Sequence, residues 1–197
     1  MNHTRKNKQI LSISADSKTV KGKTLGFLTG ILYLIPDKDL CPAAALAGCS
    51  NPCLVGAGRG KFTSVKNARI KKTMLFKQDK ELFINYLVWS ILALERKAKR
   101  ENLTPLVRLN GTSDVPYENL EINYQGVHYK NIFQLFPHVQ FYDYTKLGTR
   151  KNIPANYDLT FSYSGLESFQ PMVQKALKNP NMNRIAVVFR TIASIPR

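Results

Sequence analysis

Acidic residues are scarce in this chain. Among 197 residues it has 13 Asp and Glu against 29 Lys and Arg, a formal net charge of +16. Such a deficit leaves a field that attracts polyanions, nucleic acid first. The excess is spread along the chain, with denser patches at residues 5–8, 18–23, 66–72 and 96–100. Long apolar runs are missing too. None approaches the roughly 20 residues of a membrane span, and the longest, residues 25–35, is interrupted by Gly26, Thr29 and Gly30. That run lies too far in for a signal peptide and has no small-residue cleavage site before a mature start. The chain is therefore read as cytosolic, with no membrane partner. No internal repeat and no low-complexity segment is present. Cysteine is limited to three residues, an odd number that leaves one over in any disulfide set. No fourth cysteine completes a simple structural zinc or ferredoxin site.

What sulfur there is stands together. Cys41, Cys49 and Cys53 all lie in CPAAALAGCSNPC, with seven residues between the first pair and three between the second. Thiolates are soft ligands, suited to zinc or to the iron of a cluster, and a reducing compartment favours metal over disulfide. Three ligands with a fourth position open is the arrangement of a catalytic metal centre. The competing account, three small buried apolar residues, sits poorly with Pro42, Gly48, Pro52 and the glycines that follow, which mark a loop. The run GAGRG at 56–60 fits neither the dinucleotide nor the phosphate-loop fingerprint. Glycines there give the backbone room beside the cysteines.

The remaining pattern is that of an α/β protein, and the 44% hydrophobic share is that of a globular one. Residues 1–23 read as a basic N-terminal arm with one short strand, and residues 24–197 as a single α/β domain. A buried strand is expected in the second half of residues 25–35. Thr63 or Ser64 is placed to cap a helix to about Gln78, and Asp79 a stronger one to about Arg100. In the latter Leu82, Phe83, Tyr86, Leu87, Ile91 and Leu94 recur at helical spacing. Further strands are expected at 106–109, 139–144, 157–161 and 185–189, with short helices at 130–136 and 168–177. The last strand, IAVVF, is apolar throughout, as in a parallel sheet covered on both faces.

Alternating strands and helices predict a parallel sheet or partial barrel. Five candidate positions then fall at strand carboxyl ends, the edge where such sheets bind ligands. They are the cysteine loop, the segment Asn110, Gly111, Thr112, Ser113 and Asp114, the pair Tyr144 and Lys146, the turn from Ser162 to Ser164, and Arg190. Taken singly, each has a plainer account: the NGTSD segment as a capped turn, Lys146 as a solvated lysine.

A cysteine triad after the first strand, followed by polar loops at successive strand ends, is similar to the radical S-adenosylmethionine superfamily. More narrowly, CPAAALAGCSNPCLVGAGRGKFTSVKNARIKKT, RLNGTSDVPYE, FYDYTK, NYDLTFSYS and IAVVF together resemble phage-encoded proteins of the mycobacteriophage gene-product-eighty-eight type. The resemblance implies a partial parallel (β/α) barrel of the radical-SAM kind, possession of a [4Fe–4S] cluster on Cys41, Cys49 and Cys53, and residence in the host cytoplasm. It further implies that residues 110–114 lie near the amino-acid end of S-adenosylmethionine. Asp114 or Ser113 would there bond the cofactor's ammonium group, and Tyr144 or Lys146 would meet substrate. Two departures stand out. The cysteines are set wider apart than the superfamily's usual triad, and NGTSD occupies the place of its glycine-glycine-glutamate signature. The chain also ends soon after IAVVF, where such relatives continue, so the domain reads as truncated there.

The functional expectation is an iron–sulfur protein acting on a nucleic-acid or nucleotide substrate. Two other readings stay open. One is a basic nucleic-acid-binding protein without turnover, in which zinc or a cluster only holds the loop and His128 or His138 is a fourth ligand. The other is an accessory phage protein that binds a host partner through its basic helices.

Overall fold

The computed structural model describes residues 8–14, 17–49, 53 and 58–189. Arg190, part of the GAGRG run and residues 1–7 of the basic arm lie outside them. Among the described residues eight strands and five α-helices follow one another as β1 (Leu11–Ile13), α1 (Ser17–Thr24), β2 (Phe27–Leu32), α2 (Thr63–Gln78), α3 (Lys80–Arg100), β3 (Thr104–Arg108), β4 (Ile122–Tyr124), β5 (Val127–Tyr129), α4 (Ile132–Leu135), β6 (Gln140–Thr145), β7 (Tyr157–Ser162), α5 (Gln170–Leu177) and β8 (Ile185–Ala186).

Six strands form one sheet in the order β1-β2-β3-β6-β7-β8, and β4 and β5 form a separate hairpin. Every pairing in the large sheet is parallel except the one between β1 and β2. The protein is thus a mixed α/β fold with a mostly parallel central sheet, open in its strand order. From β2 onward the strands lie in chain order. Right-handed crossovers that always step the same way put their helices on one face. The contacts agree. A Cβ on Gly30 would stand 3.0 Å from Leu94 of α3. On the same face Phe133 of α4 meets Phe141 and Tyr157 at ring-centroid distances of 4.8 and 4.3 Å. Phe161 stacks on Phe169 at 5.9 Å, just ahead of α5.

Between β3 and β7 the other face is left open. Leu106, Tyr142, Tyr144, Asp158 and Thr160 line a cavity of about 750 Å³ there. Strand alternation explains the division: Phe141, Asp143 and Thr145 point into the core, and Tyr142 and Tyr144 point away.

Helix α3 forms as its sequence indicates, with Asp79 accepting from Leu82 N at 3.0 Å and Phe83, Leu87, Ile91 and Leu94 buried. The start of α2 differs from expectation. Phe62 holds the cap position, no side chain caps the helix, and Thr63 and Ser64 are exposed. The last strand differs more. Only Ile185 and Ala186 pair, and Val188 is 94% exposed. Among the described residues β8 pairs with β7 alone, and Val187, Val188 and Phe189 are too exposed for the double cover their composition suggested.

Candidate functional site

The cysteine loop is built from its base upward. After β2 the chain is held by Ile35 N donating to Thr73 Oγ1 of α2 at 2.8 Å. Asp37 then accepts from the backbone N of Asp39 and Leu40, both at 3.0 Å, and Lys77 donates to Asp37 and Asp39 at 2.5 and 2.9 Å. Cys41 N donates to Asp37 O at 2.8 Å, and helix-like turns carry the chain on, with Ala47 N to Ala43 O at 2.9 Å and Cys49 N to Ala44 O at 2.8 Å. Ala43 and Ala47 are buried, so the loop sits on the protein by its alanines. From the other side, Ser164 Oγ donates to Ala47 O and Ser168 Oγ to Leu46 O, each at 3.0 Å.

The 110–114 loop forms the neighbouring wall. Gly111 N donates to Leu32 O at 3.0 Å and Asp114 N to Leu40 O at 2.7 Å. Cys41 Sγ lies 3.8 Å from Thr112 O. Glycine is needed at 111, since a Cβ would lie 2.7 Å from Ile31, Leu32 O and Tyr33. Its side chains are buried and engaged within the protein. Asn110 Oδ1 accepts from Ser113 Oγ at 2.9 Å and Val115 N at 2.8 Å, and Thr112 Oγ1 donates to Leu34 O at 2.5 Å. Asp114 accepts from Lys146 N at 2.7 Å and from Arg150 Nη1 at 3.2 Å. Burial raises the Asp114 pKa despite the Thr145 hydroxyl and the Arg150 charge. Its carboxylate ties two loops together, which goes beyond the turn cap of the plainer account.

Tyr144 and Lys146 part company. The Tyr144 ring, 45% exposed, lies on the open sheet face with the Arg108 guanidinium 5.3 Å from its centroid. Lys146 turns to the sheet edge, where Nζ donates to Ser162 O at 2.7 Å and Tyr163 O at 3.0 Å. Burial lowers its pKa, while the Cys49 thiol and Asp114 pull the other way. Tyr144 lines the cavity described above, whereas Lys146 and the three cysteines do not.

All three thiols are free and half-buried. Burial pushes the Cys41 thiol up to about 12, with Asp114 and Cys53 adding to the effect. Among the described residues no three His, Cys, Asp or Glu side chains converge as ligands of one metal ion. Neither candidate histidine is placed as a fourth ligand. His128 pairs with Asn123 at 3.1 Å on the β4–β5 hairpin. His138 pairs with Glu95 at 2.5 Å ahead of β6, at the end of the sheet opposite the cysteines.

Little in the residue pattern announced the buried charges around these loops. Arg150 bonds Glu118 through Nε and, at 2.5 Å, through Nη2. Asp143 accepts from Leu109 N at 3.2 Å and Asn110 N at 2.9 Å, with Arg108 Nε at 3.5 Å. An acid at an inward position of the FYDYT strand was the one local sign of it. No helix among the described residues is long and apolar enough to cross a membrane. A family model described as Gene product 88 matches residues 3–197. No curated protein and no solved structure matches the chain.

Proposed function

Because the chain belongs to the Gene product 88 family, we propose that it is a radical-SAM-like phage protein that holds an iron–sulfur cluster on Cys41, Cys49 and Cys53 and works on a nucleic-acid or nucleotide substrate. One observation carries the reading. Three free thiols occupy the loop that leaves β2, docked against the loops that leave β3 and β7, at the edge where parallel sheets hold ligands. The thiols do not converge on a point. A partial barrel belongs to the same proposal, with the helices outside and the open sheet face within.

Cys41, Cys49 and Cys53 would hold the cluster, which would supply an electron and a binding site for S-adenosylmethionine. The chain's own residues hold and orient. The 110–114 loop would form the wall beside the cofactor, held in place by its bonds within the protein. Tyr144 offers a ring on which a base stacks, and the basic surface attracts the phosphates.

A second reading, a basic nucleic-acid-binding protein whose metal only holds the loop, draws on the separation of the cavity from the cysteines. Anaerobic reconstitution with iron and sulfide, followed by optical and EPR spectra, tests the first. Each single Cys→Ala variant should lose most of the bound iron. Three variants with full iron would sink the metal site, and a cluster whose EPR signal ignores added S-adenosylmethionine would favour the second reading.

A further inference from the structure

The open face of the sheet is built as a ligand site, and it stands apart from the cysteines. Its cavity of about 750 Å³ falls within the range of about 300–1,000 Å³ found for ligand pockets. Strand β6 is the floor. Tyr142 and Tyr144 point outward from it two residues apart, which spaces them about 7 Å along the strand. One wall is the chain ahead of β7, with Ile153, Pro154 and Ala155, and the other is the chain ahead of β8, with Asn181, Asn183 and Arg184. Both walls rise at the amino ends of their strands, whereas the cysteine loop leaves the carboxyl end of β2.

The chemistry of this site is aromatic, polar and basic. The Arg108 guanidinium that stacks on Tyr144 is itself anchored, with Asp143 Oδ1 3.5 Å from its Nε and Asn110 O accepting from its Nη2 at 3.4 Å. The exposed Tyr144 ring is thereby set before a ligand arrives, which lowers the ordering cost of binding. Asn183 is exposed, and its amide offers both a donor and an acceptor. Exposed cations border both walls, Lys151 just ahead of the first and Lys178 just ahead of the second. The two acids of β6 and β7 are each matched by an arginine, Asp143 by Arg108 and Asp158 by Arg184. A flat ring with negative charge attached is what such a surface accepts.

We propose that the open sheet face binds a single-stranded nucleic acid, with one base stacked on Tyr144, its neighbour against Tyr142, and the phosphates drawn to the cationic walls. The inference rests on the nucleic-acid part of the function proposed above and is independent of what the cysteines hold. A duplex keeps its bases stacked inside and gains nothing from aromatic rings on a concave floor. An unpaired strand lays its bases on such rings and its backbone along the basic groups. The net charge of +16 brings polyanions of either kind to the surface, and the tyrosine floor selects between them.

Fluorescence anisotropy of the full chain tests this with a labelled mixed-sequence strand of about 12 nucleotides, within the roughly 4–16 that single-strand grooves take. Tyr144→Leu and Tyr142→Leu should each weaken binding at least about fivefold, the least that loss of one stacked base brings. Tyr144→Phe keeps the ring and should bind as wild type does. Lys71→Met, which removes an exposed charge on α2, should change the affinity less than Tyr144→Leu does. The same sequence as a duplex should bind wild type more weakly than the single strand. Ultraviolet crosslinking of wild type to the strand gives a readout that needs no variant, and the labelled peptides should contain residues 140–146 or 181–184. Crosslinks confined to α2 and α3, or a Tyr144→Leu protein that binds like wild type, would overturn the inference and leave nucleic-acid binding on the helical surface. A duplex bound as tightly as the single strand would overturn it too. A wild type that binds neither overturns this inference together with the nucleic-acid part of the proposed function, and says nothing against a metal at the cysteines.

Discussion

Arg150 is 4% exposed and faces the carboxylates of both Glu118 and Asp114. Arg150→Met strands two buried acids, and breaking such a pair from one side costs about 3–5 kcal/mol. Urea denaturation should show a loss of that order. Asp143 gives a prediction in pH. Burial pushes its carboxyl up to about 7, against the pull of Arg108 and of the Asn110 and Leu109 amides. The folded state therefore keeps a proton that the unfolded chain releases near its ordinary value of 3.8. Its contribution is present below that value and lost as pH rises through about 7. Between about pH 5 and about pH 8, wild type should lose stability relative to Asp143→Asn, which cannot ionise. Equal pH slopes in the two proteins would refute it. These residues show where sequence reading stops. Cys41 and Lys146 could be placed from their positions after strands. The partners of Arg150 lie 32 and 36 residues away, and nothing local announces them.

Among the elements, the two long helices begin differently, and the difference is measurable. Asp79→Ala removes the bond to Leu82 N and should cost about 1 kcal/mol. Thr63→Ala removes no cap and should stay within about 0.5 kcal/mol of wild type. Paired thermal melts decide both, and similar losses in the two would refute the distinction. Helix α3 was legible because apolar spacing and cap agreed. The hairpin β4–β5 was not, since its three-residue strands are too short to show a period. IAVVF misled for a different reason. An apolar run records what a strand can tolerate, while the elements packed on its faces decide what covers it, and among the described residues none covers Val188.

At the scale of the whole molecule, parallel order was readable from the alternation of strands and helices, and the net charge of +16 is a second global property. Binding of single-stranded nucleic acid should weaken steeply with salt as counterions are released, by a power of the salt concentration set by the phosphates contacted. A fluorescence titration at low and moderate salt checks this, and an affinity flat across the range would count decisively against it. The loop docking has a consequence in time. Ala47 and Leu46 are bonded by Ser164 and Ser168, 117 and 122 residues further along. At synthesis rates of about 5–20 residues per second, Leu46 and Ala47 are made roughly 6–25 seconds before the serines that fasten their loop. Throughout that interval the cysteines belong to an unfinished chain. Docking of the cysteine loop is therefore a late event in biogenesis.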